Sequence, residues 1–189
     1  MRELFRNPDM PFYFAQLAPF NNKNPEGLEY ALLREQQMLS LSDIKNSGMV
    51  TTMDIGHPTC IHPPKKKEVG ERFAYLALTK TYGLKGLQLE APIYESVEFV
   101  GDKAYVTFTA KGRGIGPRNE TLEGFEMAGE DKVFYPAKGV CVFAQNVIMV
   151  KCPEVPNPVA VRYGMKNWSV ATVFNTYGIP VSPFRSDDW

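Results

Sequence analysis

The chain has 189 residues, of which 44% are hydrophobic and 22% charged, so its composition is that of a folded protein large enough to bury a core. Lysine plus arginine equals aspartate plus glutamate at 21 each, and the formal net charge is zero. This balance does not favour nucleic acid or an anionic membrane as a partner, and no apolar run approaches the roughly 18 residues of a membrane span.

The first half of the chain alternates between strand patterns and helix patterns. Pro11–Ala18 is a near-continuous apolar run of strand length, as expected for a strand covered on both faces. A helix is predicted from Asn24, as the capping residue, to about Leu39. Met49–Asp54 predicts a second strand and Lys65–Tyr82 a second helix. This alternation with short loops predicts a parallel α/β sheet with right-handed crossovers.

From about Ala91 the pattern changes to short strand-like runs separated by glycine, proline and asparagine, with no helical periodicity. This half predicts an antiparallel β-sandwich, in which Gly101-Asp102 forms a hairpin turn. We therefore divide the chain into an α/β part, residues 1–88, and a β-sandwich part, residues 89–189. The predicted strands of the second part are Ser96–Val100, Ala104–Ala110, Phe125–Ala128, Gly139–Phe143, Val147–Lys151 and Val159–Arg162.

The three cysteines, an odd number, do not indicate a disulfide framework. No Cys-x-x-Cys motif or close histidine cluster indicates a zinc site, and no cofactor is predicted. A disulfide between Cys141 and Cys152 could close a hairpin in an oxidising compartment, but buried thiols are the favoured interpretation.

The stretch from Gly48 to Ala74 carries the pattern most typical of catalysis. An apolar run ends at Asp54, a proline-rich loop then presents His62, and a helix follows. Ester hydrolysis by serine needs a neutral imidazole to move the proton and a carboxylate to orient the ring. Ligand sites in open α/β sheets lie at the carboxyl ends of strands, which is where Asp54 and His62 are predicted to lie. The alternative is a loop histidine fixed by hydrogen bonds.

Three neighbouring features have simpler interpretations than catalysis. Cys60 and His62 could form a thiol-hydrolase pair, but residues two apart on a proline-bounded loop seldom aim their side chains at each other. His57 is interpreted as an exposed loop histidine. Arg34 and Glu35 predict an ion pair that braces the sheet, with substrate contact as the less favoured alternative.

The block Asp54-Ile-Gly, Ile61-His-Pro and Lys-x-x-Val-Gly-x-Arg is fairly specific, and further segments accompany it in order along nearly the whole chain. Together they resemble the sialate O-acetylesterase family of SGNH-type hydrolases. The resemblance implies that His62 is the catalytic base. SGNH enzymes often carry an aspartate three residues before the histidine, which is Thr59 here, so Asp54 is assigned as the acid or, alternatively, as a brace of the loop. The further segments are Pro11-Phe-Tyr-Phe-Ala-Gln-Leu-Ala-Pro-Phe, Arg34-Glu-Gln-Gln, Met49-Val-Thr-Thr-Met, Val161-Arg-Tyr and Pro180-Val-Ser-Pro-Phe-Arg.

Members of that family deacetylate sugars, typically sialic acid, with a serine in a Gly-Gln-Ser-Asn-like motif that has no counterpart in this chain. The resemblance therefore implies the carboxyl-terminal portion of a hydrolase that acts on an O-acetylated sugar, supplies His62 and Asp54, and is inactive alone. Its implied partner is the missing amino-terminal part of the hydrolase domain, or a second copy through self-association. The implied location is secreted, periplasmic or lysosomal.

A second hypothesis stays open beside the enzyme. In it the chain is a non-catalytic module whose β-sandwich binds carbohydrate or docks a partner, and the α/β part is the remnant of a former hydrolase. The two hypotheses differ in whether His62 is needed.

Overall fold

The structure is a computed structural model that describes residues 1–86, 90–109, 114–142 and 146–189. We call residues 1–86 the amino-terminal segment and residues 90–189 the β region. The amino-terminal segment contains β1 (Phe12–Ala15), α1 (Glu29–Asp43), β2 (Ser47–Val50) and α2 (Lys66–Leu76). A single π-helical turn, Ala77–Thr81, continues α2, and the left-handed Gly83 (φ +71°) then ends it.

The two strands of the amino-terminal segment pair in parallel, with Phe12 opposite Ser47 and Ala15 opposite Val50. α1 connects them, as parallel pairing requires of a crossover. β2 is buried along its whole length, whereas both ends of β1 are exposed. Within the described residues this sheet has two strands, so the larger parallel sheet of an SGNH-type domain is not shown.

The start of α1 differs from the sequence prediction, which placed the cap at Asn24. The Gly27 N–H donates to the Asn24 carbonyl at 3.1 Å in a turn, and the helix begins only at Glu29. The cap comes from the β region instead, because Asn167 Oδ1 accepts the Tyr30 N–H at 2.8 Å. A distant residue thus replaced the local cap.

The described residues of the β region form nine strands, and each of the six predicted strands overlaps one of them. The predicted turn at Gly101-Asp102 is confirmed, since Val100 pairs with Lys103 and Gly101 has a φ of +58°. The predicted strand ends at residues 110 and 143 lie outside the described residues. The strands are β3 (Tyr94–Val100), β4 (Lys103–Phe108), β5 (Ile115–Gly116), β6 (Leu122–Ala128), β7 (Phe134–Cys141), β8 (Val147–Lys151), β9 (Ala160–Tyr163), β10 (Phe174–Asn175) and β11 (Phe184–Arg185).

Seven of these strands form one antiparallel sheet in the order β11-β9-β6-β7-β8-β4-β3, and β5 pairs with β10. The sheet curls so far that its two edge strands come close together. Tyr94 of β3 stacks on Phe184 of β11 with ring centroids 4.6 Å apart. Every second residue of β4 is buried, as expected for a sheet with one face on a core. The arrangement is β-sandwich-like, but a single curled sheet supplies both walls.

The two regions meet at a polar junction centred on Asn167, which is fully buried. Its amide nitrogen donates to the Asn24 carbonyl at 2.9 Å and to Glu29 Oε2 at 2.6 Å. Nearby, Gln16 Nε2 donates to Ser182 Oγ at 2.7 Å. The predicted boundary at residues 88 and 89 lies outside the described residues. Among the helices that the structure describes, none has the length and apolarity to cross a membrane.

Candidate functional site

The site predicted from the sequence begins where β2 ends, at a turn that is held on two sides. The Ile55 N–H donates to the Thr52 carbonyl at 3.0 Å, and the Ile55 side chain is buried. Gly56 lies against Pro19, and a Cβ atom at this position would be 2.2 Å from the Pro19 carbonyl oxygen. Only glycine fits there, so the Asp-Ile-Gly motif fixes the position of Asp54.

Asp54 forms a bidentate ion pair with Arg72 of α2. Arg72 Nη1 donates to Oδ1 at 2.7 Å and Nη2 donates to Oδ2 at 2.6 Å. Arg72 Nη1 also donates to the Thr51 carbonyl at 2.7 Å. Because such fork-to-fork pairs are strong and directional, Arg72 locks α2 to the carboxyl end of β2.

His62 lies on the loop between the Asp54 turn and α2, and its side chain is exposed. The Cys60 thiol donates to the His62 carbonyl at 3.2 Å. Among the described residues, the His62 imidazole has no hydrogen-bond partner. The structure therefore joins Asp54 to Arg72, and it does not join Asp54 to His62 by a hydrogen bond.

The other residues of this loop make local contacts. Cys60 contacts the backbone of His62 rather than its ring, so the two do not form a thiol–imidazole pair. His57 is half-buried rather than exposed, and its Nδ1 accepts the Thr59 N–H at 3.3 Å. His57 thus closes a local turn.

The predicted ion pair between Arg34 and Glu35 is wrong. Glu35 Oε1 accepts from Arg185 Nε at 2.9 Å, while Arg34 Nη2 donates to the carbonyl of Lys166. Neighbours in a helix point about 100° apart, so each side chain takes a partner from a different part of the β region.

Arg34 also belongs to a set of buried polar side chains whose hydrogen bonds are incomplete. Burial lowers the pKa of Arg34 to about 10, because the charged guanidinium is removed from water. Five buried side-chain atoms of the described residues have no hydrogen-bond partner, and all five lie in the amino-terminal segment. These atoms are Gln16 Oε1, Arg34 Nε, Arg34 Nη1, Glu35 Oε2 and Thr51 Oγ1.

All three cysteines are free thiols. Cys141 Sγ lies 3.4 Å from the Pro117 carbonyl, and Cys152 Sγ contacts Glu154 Oε2 at 3.2 Å. Burial raises the pKa of both of these thiols, which keeps them protonated and unreactive. The favoured interpretation as buried thiols is confirmed for Cys152, whereas Cys141 is a free thiol that is only half-buried.

The β region carries a cavity of about 620 Å³ at one end of its sheet. The cavity lies between the turn that joins β6 to β7, the Gly101 turn and the segment that follows β8. All of its lining residues belong to the β region, so it is separate from the His62 loop. Across the described ranges, no group of three His, Cys, Asp or Glu residues could hold a metal ion.

Comparison with solved structures gives an informative match. No protein-family model matches the chain, and no curated protein matches it. The structure is similar to the crystal structure of a carbohydrate acetylesterase from Xanthomonas citri, with a TM-score of 0.89 and 36% sequence identity. The match covers 100% of this chain and 44% of that one. The chain is thus related to a carbohydrate esterase and spans less than half of its length.

Two residues of the site had no role assigned from the sequence. Arg72 is the arginine of the Lys-x-x-Val-Gly-x-Arg motif, so its presence was noted, but its pairing with Asp54 crosses 18 positions. Asn167 is joined to Tyr30 across 137 positions, and no local pattern marks it. A motif can indicate that an arginine matters, whereas its partner depends on tertiary packing.

Proposed function

We propose that this chain is part of an SGNH-type sugar O-acetylesterase, with His62 as the base of its Ser-His-Asp site. The observation that carries the proposal is the exposed His62 on a proline-restricted loop, placed directly after the Asp54 turn at the carboxyl end of a parallel strand. The similarity to a carbohydrate acetylesterase along the entire chain supports the same chemistry.

In the proposed mechanism, neutral His62 accepts the proton of a serine hydroxyl as that oxygen attacks the acetyl carbonyl. The imidazolium then returns the proton to the leaving sugar oxygen, and the ring activates water to release acetate from the acyl-enzyme. An exposed imidazole without a competing hydrogen bond is free to make both transfers.

Asp54 is the proposed acid of this site. Each carboxylate oxygen has two lone pairs, and the bond from Arg72 occupies one on each oxygen. The second lone pair of either oxygen can accept the Nδ1–H of His62, which would fix the tautomer and stabilise the imidazolium. Arg72 would then act as a positioning residue that holds the carboxylate.

The proposed sugar is sialic acid, in line with the sequence resemblance. Lys65, Lys66 and Lys67 directly follow the His62 loop and are exposed. A cationic surface beside the base suits a sugar that carries a carboxylate. Replacing all three lysines should raise KM for an acetylated sialic acid while leaving kcat/KM for a neutral aryl acetate unchanged.

The proposed partner is the amino-terminal part of the hydrolase domain, which would supply the nucleophile. α1 exposes Leu32 and Leu39, and Leu28, which directly precedes the helix, is exposed at the same spacing. β1 has one strand neighbour among the described residues and exposed ends, so one of its edges is open. In the proposed arrangement, a further strand of the partner pairs with β1 and a further element packs on the three leucines. Self-association of the chain is the competing arrangement.

The test compares acetate release by the purified chain alone and by the chain joined to the proposed amino-terminal hydrolase part. We expect activity only for the complete protein, and a loss of at least about 10³-fold in kcat for His62→Ala. His57→Ala is the matched control in the same loop and should retain activity. Activity of the complete protein that survives His62→Ala would sink the proposal.

The role of Asp54 has its own readout. If Asp54 stabilises the imidazolium, Asp54→Asn lowers kcat and also moves the acidic limb of the pH profile of kcat/KM. If Asp54 only braces the loop, the variant loses stability while the pH profile keeps its shape. The second result would remove Asp54 from the proposed triad without touching His62.

A further inference from the structure

We propose that the cavity at the turn end of the β region binds a neutral oligosaccharide. Its volume of about 620 Å³ lies within the range of small-molecule sites, roughly 300–1,000 Å³. The inference rests on the proposed function only for the chemical class of the ligand. The site would position neutral residues of the sugar chain that carries the acetylated sugar, while the acetylated sugar itself and the chemistry lie elsewhere.

The walls of the cavity are held by backbone hydrogen bonds. The Lys132 N–H donates to the Gly129 carbonyl at 3.0 Å, and the Val159 N–H donates to the Ala128 carbonyl at 2.8 Å. Val155 and Pro158 are buried and anchor the segment after β8. A site formed in advance of the ligand avoids the entropy cost of ordering loops on binding.

Tyr135 supplies an aromatic surface in a fixed position. Its half-buried ring packs against the core of the β region and also lines the cavity. An aromatic ring held this way offers an apolar face to the C–H groups of a pyranose ring and a hydroxyl to its edge. Within the described part of the chain, the Tyr135 hydroxyl has no hydrogen-bond partner.

Polar groups with spare hydrogen-bonding capacity surround this ring. Asp131 Oδ1 accepts the Val133 N–H at 3.2 Å and Glu154 Oε2 accepts the Cys152 thiol at 3.2 Å, which leaves the second oxygen of each carboxylate available. Glu130 and Asn157 are exposed on the lining. Carboxylates accept from sugar hydroxyls, and the Asn157 amide can both donate and accept.

The charge of the lining selects a neutral sugar over an anionic one. Every charged residue that lines the cavity is acidic. The cations nearby in sequence are engaged elsewhere, since Lys132 lies over the Trp189 ring at 4.5 Å and Lys151 pairs with Asp102 at 2.7 Å. A metal ion is disfavoured, because no group of three suitable side chains occurs among the described residues. A sugar carboxylate would therefore be repelled.

The test is calorimetric titration of the purified chain with neutral hexasaccharides built from glucose, mannose or xylose, and with an acidic hexagalacturonate. We expect one of the neutral sugars to bind and the acidic one not to bind. Asn157→Ala and Glu130→Gln, at exposed positions that leave the fold intact, should each weaken binding by about tenfold. Tyr135→Ala should abolish binding, and its thermal melt shows whether it is folded.

Tyr177→Ala is the matched control, since Tyr177 is exposed but lies outside the cavity. It should bind the neutral sugar as the parent chain does, and so should His62→Ala. The proposal is overturned if no neutral hexasaccharide binds at millimolar concentration, if Asn157→Ala and Glu130→Gln bind normally, or if the acidic sugar binds as well. Loss of hydrolysis with intact binding separates this site from the proposed esterase site.

Discussion

The two regions of the chain differ in how well their own residues bury their apolar side chains and pair their buried polar atoms. In the β region most of the buried apolar residues form one cluster that runs from Ala104 to Phe184. The five unpaired buried polar atoms found among the described residues all lie in the amino-terminal segment. That segment also exposes Leu39 by 50% and Tyr82 by 78%. The apolar core of the β region is thus internal to that region, whereas the amino-terminal segment lacks cover.

This difference shows that a segment can form regular helices and strands without having all of its packing partners. A two-stranded sheet is marginal in water, and β1 with β2 depends on α1, α2 and the junction at Asn167. The chain also spans only 44% of the carbohydrate acetylesterase that it resembles. These facts support the proposal that a further part of the hydrolase domain covers the amino-terminal segment.

The largest expected effect comes from separating the regions. Residues 90–189 alone should unfold cooperatively, because their core cluster is internal to them. Residues 1–86 alone should show no cooperative transition, because their buried polar groups take partners from the β region. Thermal melting followed by circular dichroism measures both, with the whole chain as control. A sharp transition in residues 1–86 alone would break the comparison.

The next largest effect distinguishes two buried arginines of the amino-terminal segment. Arg72→Met should lower the free energy of unfolding by about 3 kcal/mol, since it leaves Asp54 without its partner. Arg34→Met should change it by less than about 1 kcal/mol, because the gain from removing a poorly paired buried charge offsets one lost hydrogen bond. Urea unfolding compares the variants, and equal losses would contradict this account.

A third pair of variants compares packing. In the β region, a Cβ atom on Gly139 would lie 2.8 Å from Ile148 Cγ2 and 2.9 Å from Phe125 Cε2. Gly139→Ala should therefore lower stability by about 1–3 kcal/mol. In α2, nothing lies within 4 Å of a Cβ atom on Gly70, so Gly70→Ala should raise stability by about 0.5–1 kcal/mol. Opposite shifts in melting temperature are expected, and shifts of the same sign would refute the contrast.

The smallest expected effect is at the junction and depends on pH. The amide of Asn167 donates to Glu29 and lowers the pKa of that exposed carboxyl below its ordinary value. The stabilisation that the Glu29 carboxylate provides is therefore present above the ordinary carboxyl pKa. It is lost as the pH falls through the lowered pKa of Glu29. Titration by NMR should show the pKa of Glu29 rising in Asn167→Ala. An unchanged pKa of Glu29 would show that the hydrogen bond from Asn167 is not the cause of the lowered pKa.

Local patterns were sufficient for most of the β region. β4 alternates between half-buried and buried residues from Lys103 to Phe108, and this period of two is visible in the sequence. The Gly101 turn is equally local, because its positive φ favours glycine. The sequence did not show that one sheet curls until Tyr94 meets Phe184, since that contact joins the two ends of the region.

For the candidate site, the sequence placed Asp54 and His62 near the end of a strand and paired them with each other, but it did not give Arg72 as the partner of Asp54. The ion pair of Asp54 with Arg72 requires α2 to pack back against the end of β2. The pairing of Glu35 with Arg185 spans 150 positions, and it displaced the expected pairing with Arg34. Partner choice among charged side chains depends on which elements meet, which no window of the sequence contains.

The sequence by itself determined that strands fill the second half of the chain, that Gly101 and Asp102 form a turn, and which loop carries His62. These are consequences of side-chain periodicity, backbone freedom and proline restriction, all of which act between near neighbours. Only the tertiary structure decided that Asn167 caps α1, that Arg72 holds Asp54 and that Tyr135 lines a cavity. Each of these depends on distant segments being buried together, where an unpaired polar group is costly and its partner is whatever packing brings within reach.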